Sequence, residues 1–443
     1  MENRTGQVLA GDAPASGVVI SDGVVLTVTG TDGRYSLPPR EGAADALVWM
    51  RVPAGHRAAG PWFVHGDRDA LFHLEPDPEQ ADAFSFVFFT DIHLLKDAPE
   101  QPFRTVLDDI AALVPAPGFQ VSGGDVELQT GMGEAYAALL DGHPIPTRHV
   151  VGNHDLLIHQ ARPEAAFEEL FGPARCSWQY GRYHFATLRG MVPNPEKAGW
   201  RSVEGEFTEE ELRWLEADLR LAEGKPVILF THIPPVSTFA RRRGALPGAE
   251  PAWEVRDTDR FLELCGRFNV RLVLSGHFHE NERTSFNGTE LQATGAVCGH
   301  WWEQGGRPAL NLDGSPKGFR VVYVDGEACH SVYHSTGAGP GRQLRIVGPK
   351  AGARVRGRFG IGVNVFDGDA RTRVEYRIGL RAWEEMRFAP QRRSPTVFGS
   401  AHFWTAWGPA DLPRGTHQLS VRATFADGAA YMEAVTFWVE AVT

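Results

Sequence analysis

Three things are scarce in this sequence: cysteine, long apolar runs and an excess of positive charge. The four cysteines are widely separated and lack the short spacings of cysteine metal sites, which argues against a cysteine-ligated metal. We expect them to be reduced and mostly buried, because a free cysteine packs as a small apolar side chain. They are Cys176, Cys265, Cys298 and Cys329.

No segment approaches the roughly 18 consecutive apolar residues that would predict a membrane span. The start of the chain, Met1–Gly6, lacks the basic and apolar regions of a signal peptide, so we expect a cytoplasmic protein. The formal net charge of −11 argues against a protein that gains affinity by covering nucleic-acid phosphates with lysine and arginine. A small phosphorylated substrate is compatible with this charge, because bound metal ions would reverse the local sign of the field.

The composition changes twice along the chain, which predicts three domains. Residues 1–78 are rich in glycine and hold short alternating apolar runs between Asp-Gly pairs, as expected for the hairpins of a small all-β domain. Residues 80–335 alternate short apolar runs with amphipathic segments, which predicts an α/β layer structure. Residues 340–443 return to β-type alternation and predict a sandwich-like, β-rich domain.

The middle region contains five predicted strands and three predicted helices. One helix has apolar residues at 3.6-residue spacing from Phe103 to Leu113, and another begins at Thr208, with Glu211 completing a capping box. The third helix runs from Phe261 through Phe268. The predicted strands are Phe84–Phe89, Phe119–Ser122, Arg148–Val151, Pro226–Phe230 and Val270–Leu274.

Each of these strands runs directly into potential metal ligands. In open α/β sheets, ligands bind beyond the carboxyl ends of the strands, and five such ends are difficult to explain by chance. Any one of these short motifs is weak evidence by itself, and the Gly-Asn-His-Asp motif alone could be a turn. The five ends read Asp91-Ile92-His93, Gly123-Gly124-Asp125, Gly152-Asn153-His154-Asp155, Thr231-His232 and Gly276-His277-Phe278-His279.

The residue types at these ends predict a class of metal. Carboxylates, imidazoles and an amide make a mixed oxygen and nitrogen set, which suits Mn, Fe or Zn better than Ca or Mg. Residues i and i+2 point the same way on an extended chain, so both the Asp-x-His and the His-x-His pair can reach one site. With two ions about 3.5–4 Å apart, a bridging water can become hydroxide near neutral pH and attack phosphorus in line.

In their types and order, the five blocks resemble the calcineurin-like metallophosphoesterase superfamily, over roughly residues 84–335. The resemblance implies a four-layer α/β/β/α sandwich with a dinuclear site at one edge. The whole chain would then be an α+β multidomain protein, with a small all-β domain on either side of that sandwich. The resemblance also implies two metal ions that share one carboxylate. The first would be held by Asp91, His93, Asp125 and His279, and the second by Asp125, Asn153, His232 and His277.

The same resemblance implies two catalytic residues. His154 is similar to the family histidine that contacts phosphate and protonates or stabilises the leaving group, and Asp155 would orient it through a hydrogen bond. His154 could instead be a structural neighbour of Asn153. Glu127 follows Asp125 by two residues, and we assign it no role. The N-terminal region resembles transthyretin- or carboxypeptidase-regulatory-like β-domains, which a bacterial subgroup of the superfamily places before the catalytic domain.

Aromatic and basic residues outside the five blocks have alternative roles. His300 and Trp301 are predicted to bind substrate as a wall for its leaving group, whereas Trp302 is predicted to be a core residue. For His402, a place in the core of the last domain is favoured over one near the metals. The Arg241–Arg243 run is predicted to be a solvated surface loop.

The sequence therefore predicts a metal-dependent phosphoesterase with two Mn, Fe or Zn ions. It would hydrolyse a small-molecule phosphodiester by attack of a bridging, metal-bound hydroxide, with His154 as the acid. One alternative is a phosphomonoesterase that acts on sugar or nucleotide phosphates, and another is a catalytically inert metal-binding scaffold. The complete ligand set favours an enzyme, since degenerate members of the family usually lose one or more ligands. No nucleic-acid partner is expected.

Overall fold

The computed structural model describes residues 3–40, 46–66, 70–98, 101–245, 250–299, 301–304, 307–308, 310–391 and 399–441. Within these ranges the protein is an α+β structure that is rich in sheet, and its few helices all lie between Phe103 and Arg267. No helix in the described ranges is long and apolar enough to cross a membrane. The mixed, sheet-rich class predicted from the sequence is confirmed at this level.

The N-terminal strands form two sheets around a shared apolar core that includes Val8, Leu37, Met50 and Phe72. The strands are β1 (Arg4–Ala10), β2 (Ala13–Pro14), β3 (Val19–Ser21), β4 (Leu26–Val28), β5 (Arg34–Leu37), β6 (Leu47–Met50), β7 (His56–Ala58), β8 (Phe63–His65) and β9 (Ala70–Pro76). One sheet has the order β2-β1-β9-β7 with β5 paired to β1, and the other has the order β4-β3-β6-β8.

The central part of the chain alternates strands and helices. Its strands are β10 (Ala83–Phe89), β11 (Phe119–Ser122), β12 (Thr147–His149), β13 (Cys176–Tyr180), β14 (Tyr183–Thr187), β15 (Met191–Pro193), β16 (Val203–Glu206), β17 (Val227–Phe230), β18 (Val255–Arg256), β19 (Val270–Ser275), β20 (Glu282–Phe286), β21 (Thr289–Ala293), β22 (Glu303–Gln304), β23 (Arg307–Pro308), β24 (Gly318–Asp325) and β25 (Ala328–Ser335). Its helices are α1 (Phe103–Ala111), α2 (Gly133–Leu140), α3 (Ala165–Phe171), α4 (Glu209–Arg220), α5 (Phe239–Arg242) and α6 (Asp259–Arg267).

Two central sheets position the strand ends that carry the potential ligands. A five-stranded sheet has the order β12-β11-β10-β24-β25, and a six-stranded sheet has the order β13-β14-β17-β19-β21-β20. Strands β10, β11 and β12 are parallel, as are β14, β17, β19 and β21. Phe86 and Phe88 pack with Phe230 of the other sheet, whereas the alternate residues Val87 and Phe89 pack in a second core with helix side chains. Because successive residues of a strand point to opposite faces, β10 is buried on both faces.

The predicted elements of the central region are found with small shifts at their ends. The strand predicted to reach Val151 ends at His149, and helices α1, α4 and α6 lie where the apolar spacing predicted them. Only half of the predicted capping box forms: the Thr208 hydroxyl accepts the Glu211 backbone N–H at 3.2 Å. The Glu211 carboxylate instead accepts the backbone N–H groups of Arg189 and Gly190, at 2.6 and 3.3 Å.

The C-terminal strands again form two sheets around one core, which includes Val363, Tyr376, Trp404 and Val421. The strands are β26 (Leu344–Gly348), β27 (Arg354–Val355), β28 (Phe359–Val365), β29 (Arg373–Ile378), β30 (Glu384–Glu385), β31 (Arg387–Phe388), β32 (Phe403–Gly408), β33 (Gly415–Thr424) and β34 (Ala430–Val439). The sheet orders are β26-β28-β32-β31 and β27-β34-β33-β29-β30. The cysteines are free, as predicted: three are buried, and Cys329 is half-buried.

Candidate metal centre

The loops after β10, β11, β12, β17 and β19 meet at one place, although these strands belong to two different sheets. Parallel strands present their carboxyl ends at the same edge of a sheet, and the two sheets face each other across a shared core. The seven side chains predicted as metal ligands are brought together there. They are Asp91, His93, Asp125, Asn153, His232, His277 and His279.

One group of donor atoms surrounds the Nε2 atom of His279. The Nε2 atom of His93 lies 3.1 Å from it, and the Asp91 Oδ1 atom lies 3.4 Å from it. The Asp125 Oδ2 atom lies 3.6 Å from His93 Nε2. These four residues are buried.

A second group of donor atoms surrounds His232. Its Nε2 atom lies 3.1 Å from Asn153 Oδ1 and 3.2 Å from Asp125 Oδ2, and a ligand atom of His277 lies within 4.8 Å of both Asp125 and His232. The same oxygen of Asp125 therefore faces both groups. Its other oxygen, Oδ1, accepts the backbone N–H of His154 at 2.9 Å, which fixes the plane of the carboxylate.

Each of the four histidines also has one ring nitrogen held by an acceptor outside the cluster. An acceptor at one nitrogen favours the tautomer with its proton there, which leaves the lone pair of the other nitrogen directed into the cluster. The pairs are His93 Nδ1 with Glu127 Oε1 at 2.6 Å, His232 Nδ1 with the Gly123 carbonyl at 2.8 Å, His279 Nδ1 with the Gly299 carbonyl at 2.6 Å, and His277 Nε2 with the Ala252 carbonyl at 2.8 Å.

This donor set fits divalent metal ions. Two imidazole nitrogens at 3.1 Å, beside two carboxylates, would repel each other if both lone pairs faced inward, and a cation between them would remove this repulsion. Nitrogen and oxygen donors in this ratio suit Mn, Fe or Zn. Among the described residues, three groups of His, Cys, Asp or Glu side chains have donor atoms within 4.8 Å of one another, and two of these groups contain Asp125.

The pKa values in the cluster depend on two opposing effects: burial disfavours the charged forms, and attraction between carboxylates and imidazoles favours them. Burial alone would raise the pKa of Asp125, but the surrounding histidines, led by His232, hold it well below its usual range. Burial would likewise lower the pKa of His232, but Asp125 raises it to about 9. For His277 burial dominates and lowers the pKa to about 4. Protons on imidazoles thus supply part of the positive charge that the carboxylates require, and a bound metal would displace them.

The paired ligands reach the cluster by a different backbone route from the one predicted. Asp91 and His93 have φ of 56° and 43°, and His277 and His279 have φ of 74° and 51°, so neither motif is extended. The prediction that i and i+2 point the same way on an extended chain is therefore wrong in its reason, although both pairs do reach the site. A Cβ atom at Gly276 would collide with the side chains of Thr90 and Asp91, which explains the glycine before His277.

The carboxylate beside His154 is that of Glu127, a residue with no role predicted from the sequence. Glu127 Oε1 lies 3.0 Å from His154 Nδ1 and 2.6 Å from His93 Nδ1. Asp155 was predicted to orient His154, but the carboxylate in contact with His154 Nδ1 is that of Glu127. The Asp155 carboxylate instead accepts backbone N–H groups of Asp125 and Gly152, each at 2.9 Å, and so shapes the loops that carry the ligands. The signal in the sequence was an acidic residue two positions after Asp125.

His154 differs from the metal-ligand candidates in its exposure. Its side chain is 27% exposed, whereas that of His232 is fully buried. Burial lowers the pKa of His154, but the nearby carboxylates of Asp125 and Glu127 outweigh burial and raise it to about 9. Because Nδ1 is held by Glu127, Nε2 is the ring nitrogen left to meet a substrate.

The indole ring of Trp301 covers one side of the cluster. Its centroid lies 4.1 Å from the His93 ring, 5.7 Å from the His279 ring and 5.9 Å from the His154 ring. Trp301 is 43% exposed, so one part of the ring contacts solvent. The next residue, Trp302, is buried and donates Nε1–H to the His93 carbonyl at 2.9 Å, in agreement with the predicted core role. His300, the other predicted substrate-binding residue, lies outside the described residues.

Two further predictions need correction. Arg242 is not in a solvated loop, since it is buried in α5 and its Nη1 atom donates to Glu280 at 2.7 Å. An ion pair with a carboxylate beside the His279 loop is what pulls this residue inward. His402 is buried as predicted, but its partner lies outside the last domain: its Nε2 atom is 2.7 Å from Asp313 Oδ2.

Sequence comparison gives two family matches along the chain. Residues 84–281 match the family model described as calcineurin-like phosphoesterase, and residues 292–397 match the one described as the C-terminal part of calcineurin-like phosphoesterase. The first match contains all seven candidate ligands together with His154 and Asp155.

Individual relatives are distant in sequence. A 3′,5′-cyclic-nucleotide phosphodiesterase from Nostoc sp. is 26% identical over 261 residues, which are 55% of this chain and 89% of that protein. A probable cyclic nucleotide phosphodiesterase from Rhodococcus erythropolis is 27% identical over 236 residues, which are 48% of this chain and 70% of that protein. Among solved structures, a purple acid phosphatase from yellow lupin seeds is similar over 76% of this chain and 72% of its own, with a TM-score of 0.43 and 14% identity.

Proposed function

The chain belongs to the calcineurin-like phosphoesterase family, and we propose on that basis that it hydrolyses a small-molecule phosphodiester at a dinuclear metal site. The observation that carries the proposal is the position of Asp125, one oxygen of which faces both groups of donor atoms. The first substrate class to test is 3′,5′-cyclic nucleotides, because one relative is named a 3′,5′-cyclic-nucleotide phosphodiesterase and another a probable cyclic nucleotide phosphodiesterase.

We propose that Asp91, His93, Asp125 and His279 hold one ion, and that Asp125, Asn153, His232 and His277 hold the other. When bound, such ions would polarise the phosphoryl oxygens and activate water as the nucleophile. The two domains that flank the catalytic one, residues 1–78 and 340–443, the four-layer packing of the central part and a cytoplasmic location are parts of the same proposal.

The protein's own residues would bind and orient the ester. Trp301 limits access from the side of His93, so the substrate is expected to enter where His154 is exposed. His154 would donate its Nε2 proton to the departing oxygen, while Glu127 holds Nδ1 and keeps the ring from turning. The buried Asp155 would act only on the backbone, by fixing the loops that carry Asp125 and Asn153.

We expect His154→Ala to lower kcat by roughly 10²–10⁴-fold for an alkyl diester, as for loss of a general acid. The loss should be smaller for a nitrophenyl diester, since nitrophenolate is stable without a proton. The two substrates would be compared at saturating concentration with Mn²⁺ present. His159→Ala serves as the control, because His159 lies in the same loop region but not in the donor cluster. Equal losses for both leaving groups would remove the acid role.

We expect Trp301→Ala to raise KM for a cyclic nucleotide roughly 5- to 150-fold, which corresponds to the 1–3 kcal/mol of a base stacked on an aromatic ring. A glycerophosphodiester has no ring to stack and should be affected much less. Trp407→Ala is the matched control, since Trp407 is an exposed tryptophan on the C-terminal strands. If KM rises equally for both substrates, Trp301 does not contact the base.

The proposed function itself is tested by comparing bis-p-nitrophenyl phosphate with p-nitrophenyl phosphate in the presence of added Mn²⁺. Faster cleavage of the diester, followed by cleavage of a 3′,5′-cyclic nucleotide, is the expected result. Faster cleavage of the monoester would instead favour a phosphatase acting on sugar or nucleotide phosphates. A protein that binds no metal and cleaves neither ester would contradict the proposal and favour the inert scaffold.

A further inference from the structure

The loop that carries His277 and His279 has a backbone that its own residues do not favour. Both histidines have left-handed φ, of 74° and 51°, which costs free energy for residues other than glycine. Such a conformation persists only where surrounding contacts impose it. The contacts that impose it here are therefore part of what makes the candidate metal centre.

Two of these contacts come from one short segment, Leu312–Asp313. The Leu312 backbone N–H donates to the His279 carbonyl at 2.9 Å. The Asp313 Oδ2 atom accepts the Asn281 backbone N–H at 2.7 Å. The segment thus holds the loop at His279, which is a predicted ligand, and at Asn281, on the other side of Glu280.

Asp313 is in turn fixed by the C-terminal strands. His402, which directly precedes β32, donates from Nε2 to Asp313 Oδ2 at 2.7 Å. Asn364 of β28 donates from Nδ2 to the Asp313 carbonyl at 2.9 Å. The hydroxyl of Ser400 connects the two, since it donates to Asn364 Oδ1 at 3.1 Å and lies 3.2 Å from His402 Nδ1.

This network is closed to solvent and its members are paired. Asp313, Asn364, Ser400 and His402 are each at most 3% exposed. Buried polar groups of this kind are costly unless every one is satisfied, so an apolar residue at position 402 would leave the Asp313 carboxylate short of a partner. Through Asp313, the network also reaches the backbone N–H of Asn281 in the ligand loop, so it does more than connect strands.

We propose that His402 is a positioning residue for His279 and that it acts through Asp313 on the backbone of the ligand loop. The C-terminal strands are then part of the metal centre, although none of the seven candidate ligands lies in them. The inference rests on the proposed dinuclear site but not on the identity of the substrate. It is therefore tested by readouts that do not require turnover.

The first readout is amide hydrogen exchange of the metal-free protein. His402→Leu should speed exchange at Asn281 and Leu312, because the two acceptors that protect these amides, Asp313 Oδ2 and the His279 carbonyl, would no longer be held in place. His402→Gln should restore protection, since its side-chain N–H can reach Asp313 in place of Nε2. Val363→Ala is the matched control, because Val363 is a buried apolar residue of the same C-terminal core.

The second readout is Mn²⁺ affinity by calorimetry. For His402→Leu the dissociation constant should rise roughly 10- to 100-fold, as for other residues that orient a metal ligand indirectly, whereas the glutamine variant and Val363→Ala should stay near the wild-type value. If His402→Leu does not fold, Asp313→Asn probes the same link, because it keeps the volume of the side chain and weakens the acceptor for Asn281.

The outcomes separate the two proposals. Unchanged exchange at Asn281 and unchanged Mn²⁺ affinity in a folded His402→Leu protein would overturn the positioning role. The same result in Val363→Ala as in His402→Leu would also overturn it, since general loosening of the C-terminal core would then explain both. Altered exchange and affinity in a protein that cleaves no phosphodiester would support the positioning role and contradict the proposed function alone.

Discussion

Replacement of Asp125 by alanine is expected to abolish hydrolysis and to reduce metal binding at both positions of the centre. Asp125 Oδ2 lies 3.6 Å from His93 Nε2 and 3.2 Å from His232 Nε2, so one side chain serves both donor groups. Loss of metal-assisted catalysis worth several kcal/mol corresponds to a fall of roughly 10³-fold or more in kcat/KM. The measurement is turnover of the diester together with the metal content of the purified variant.

Asp141→Ala is the control for this variant, because Asp141 is an exposed aspartate at the end of α2. A second loss is expected at Asp125 itself: Oδ1 accepts the backbone N–H of His154, so the alanine variant also frees the turn that carries His154. Two metal ions per chain and wild-type turnover in Asp125→Ala would contradict a shared ligand. One retained ion with no turnover would still agree with it.

Replacement of Asp367 by alanine is expected to lower the free energy of unfolding by about 3–5 kcal/mol, as when one partner of a buried ion pair is removed. Both carboxylate oxygens of Asp367 accept from Nη1 of Arg320, each at 2.9 Å. Its Oδ2 atom also accepts from Nη2 of Arg283 at 2.6 Å. Arg320 is fully buried, so its charge has no access to water once the carboxylate is gone. The loss would be measured by urea unfolding followed by tryptophan fluorescence.

Asp369→Ala is the matched control, two residues further along the same loop. Its partner Arg371 is half exposed, and an exposed pair of this kind contributes less than about 1 kcal/mol. The two variants differ in burial rather than in charge. If both lower the free energy of unfolding equally, the buried pair contributes no more than a surface pair.

The Asp367 pair also predicts how the stability depends on pH. Burial raises the pKa of Asp367, but the opposite effect of Arg283 and Arg320 is larger and brings the pKa down to about 2. Because the folded pKa lies below the unfolded value of about 3.9, the stabilisation is complete above that value and is lost as the pH falls towards 2. The wild-type protein should therefore lose its advantage over Asp367→Ala only in strong acid.

The sequence predicted the central elements well because their signals are local. The apolar spacing of α1, the mostly apolar β10 and the apolar β17 required no knowledge of their partners. The capping box was only half correct, since the Glu211 carboxylate found backbone N–H groups of Arg189 and Gly190 that are more than twenty residues away in sequence. A capping rule that considers only neighbouring residues cannot detect donors that are distant in sequence.

The same limit explains the errors at the site. The spacing of Glu127 from Asp125 did not show that one carboxylate would hold both His93 and His154, because that contact depends on two loops meeting. Arg242 was predicted to be solvated because it lies in a basic run among proline and glycine residues, but its partner Glu280 belongs to the ligand loop. For each of these residues, charge and spacing were known and the partner was not.

The sequence by itself determined which residues could hold metal, because ligand type and position at a strand end are chemical and local properties. Only the tertiary structure decided that three of the five strands belong to one sheet and two to the other, and that Asp125 lies between the two groups. It also decided that His402 reaches the ligand loop through Asp313, across 89 residues of sequence. The physical reason is that these arrangements depend on packing between sheets, which is set by the whole core and not by any one segment.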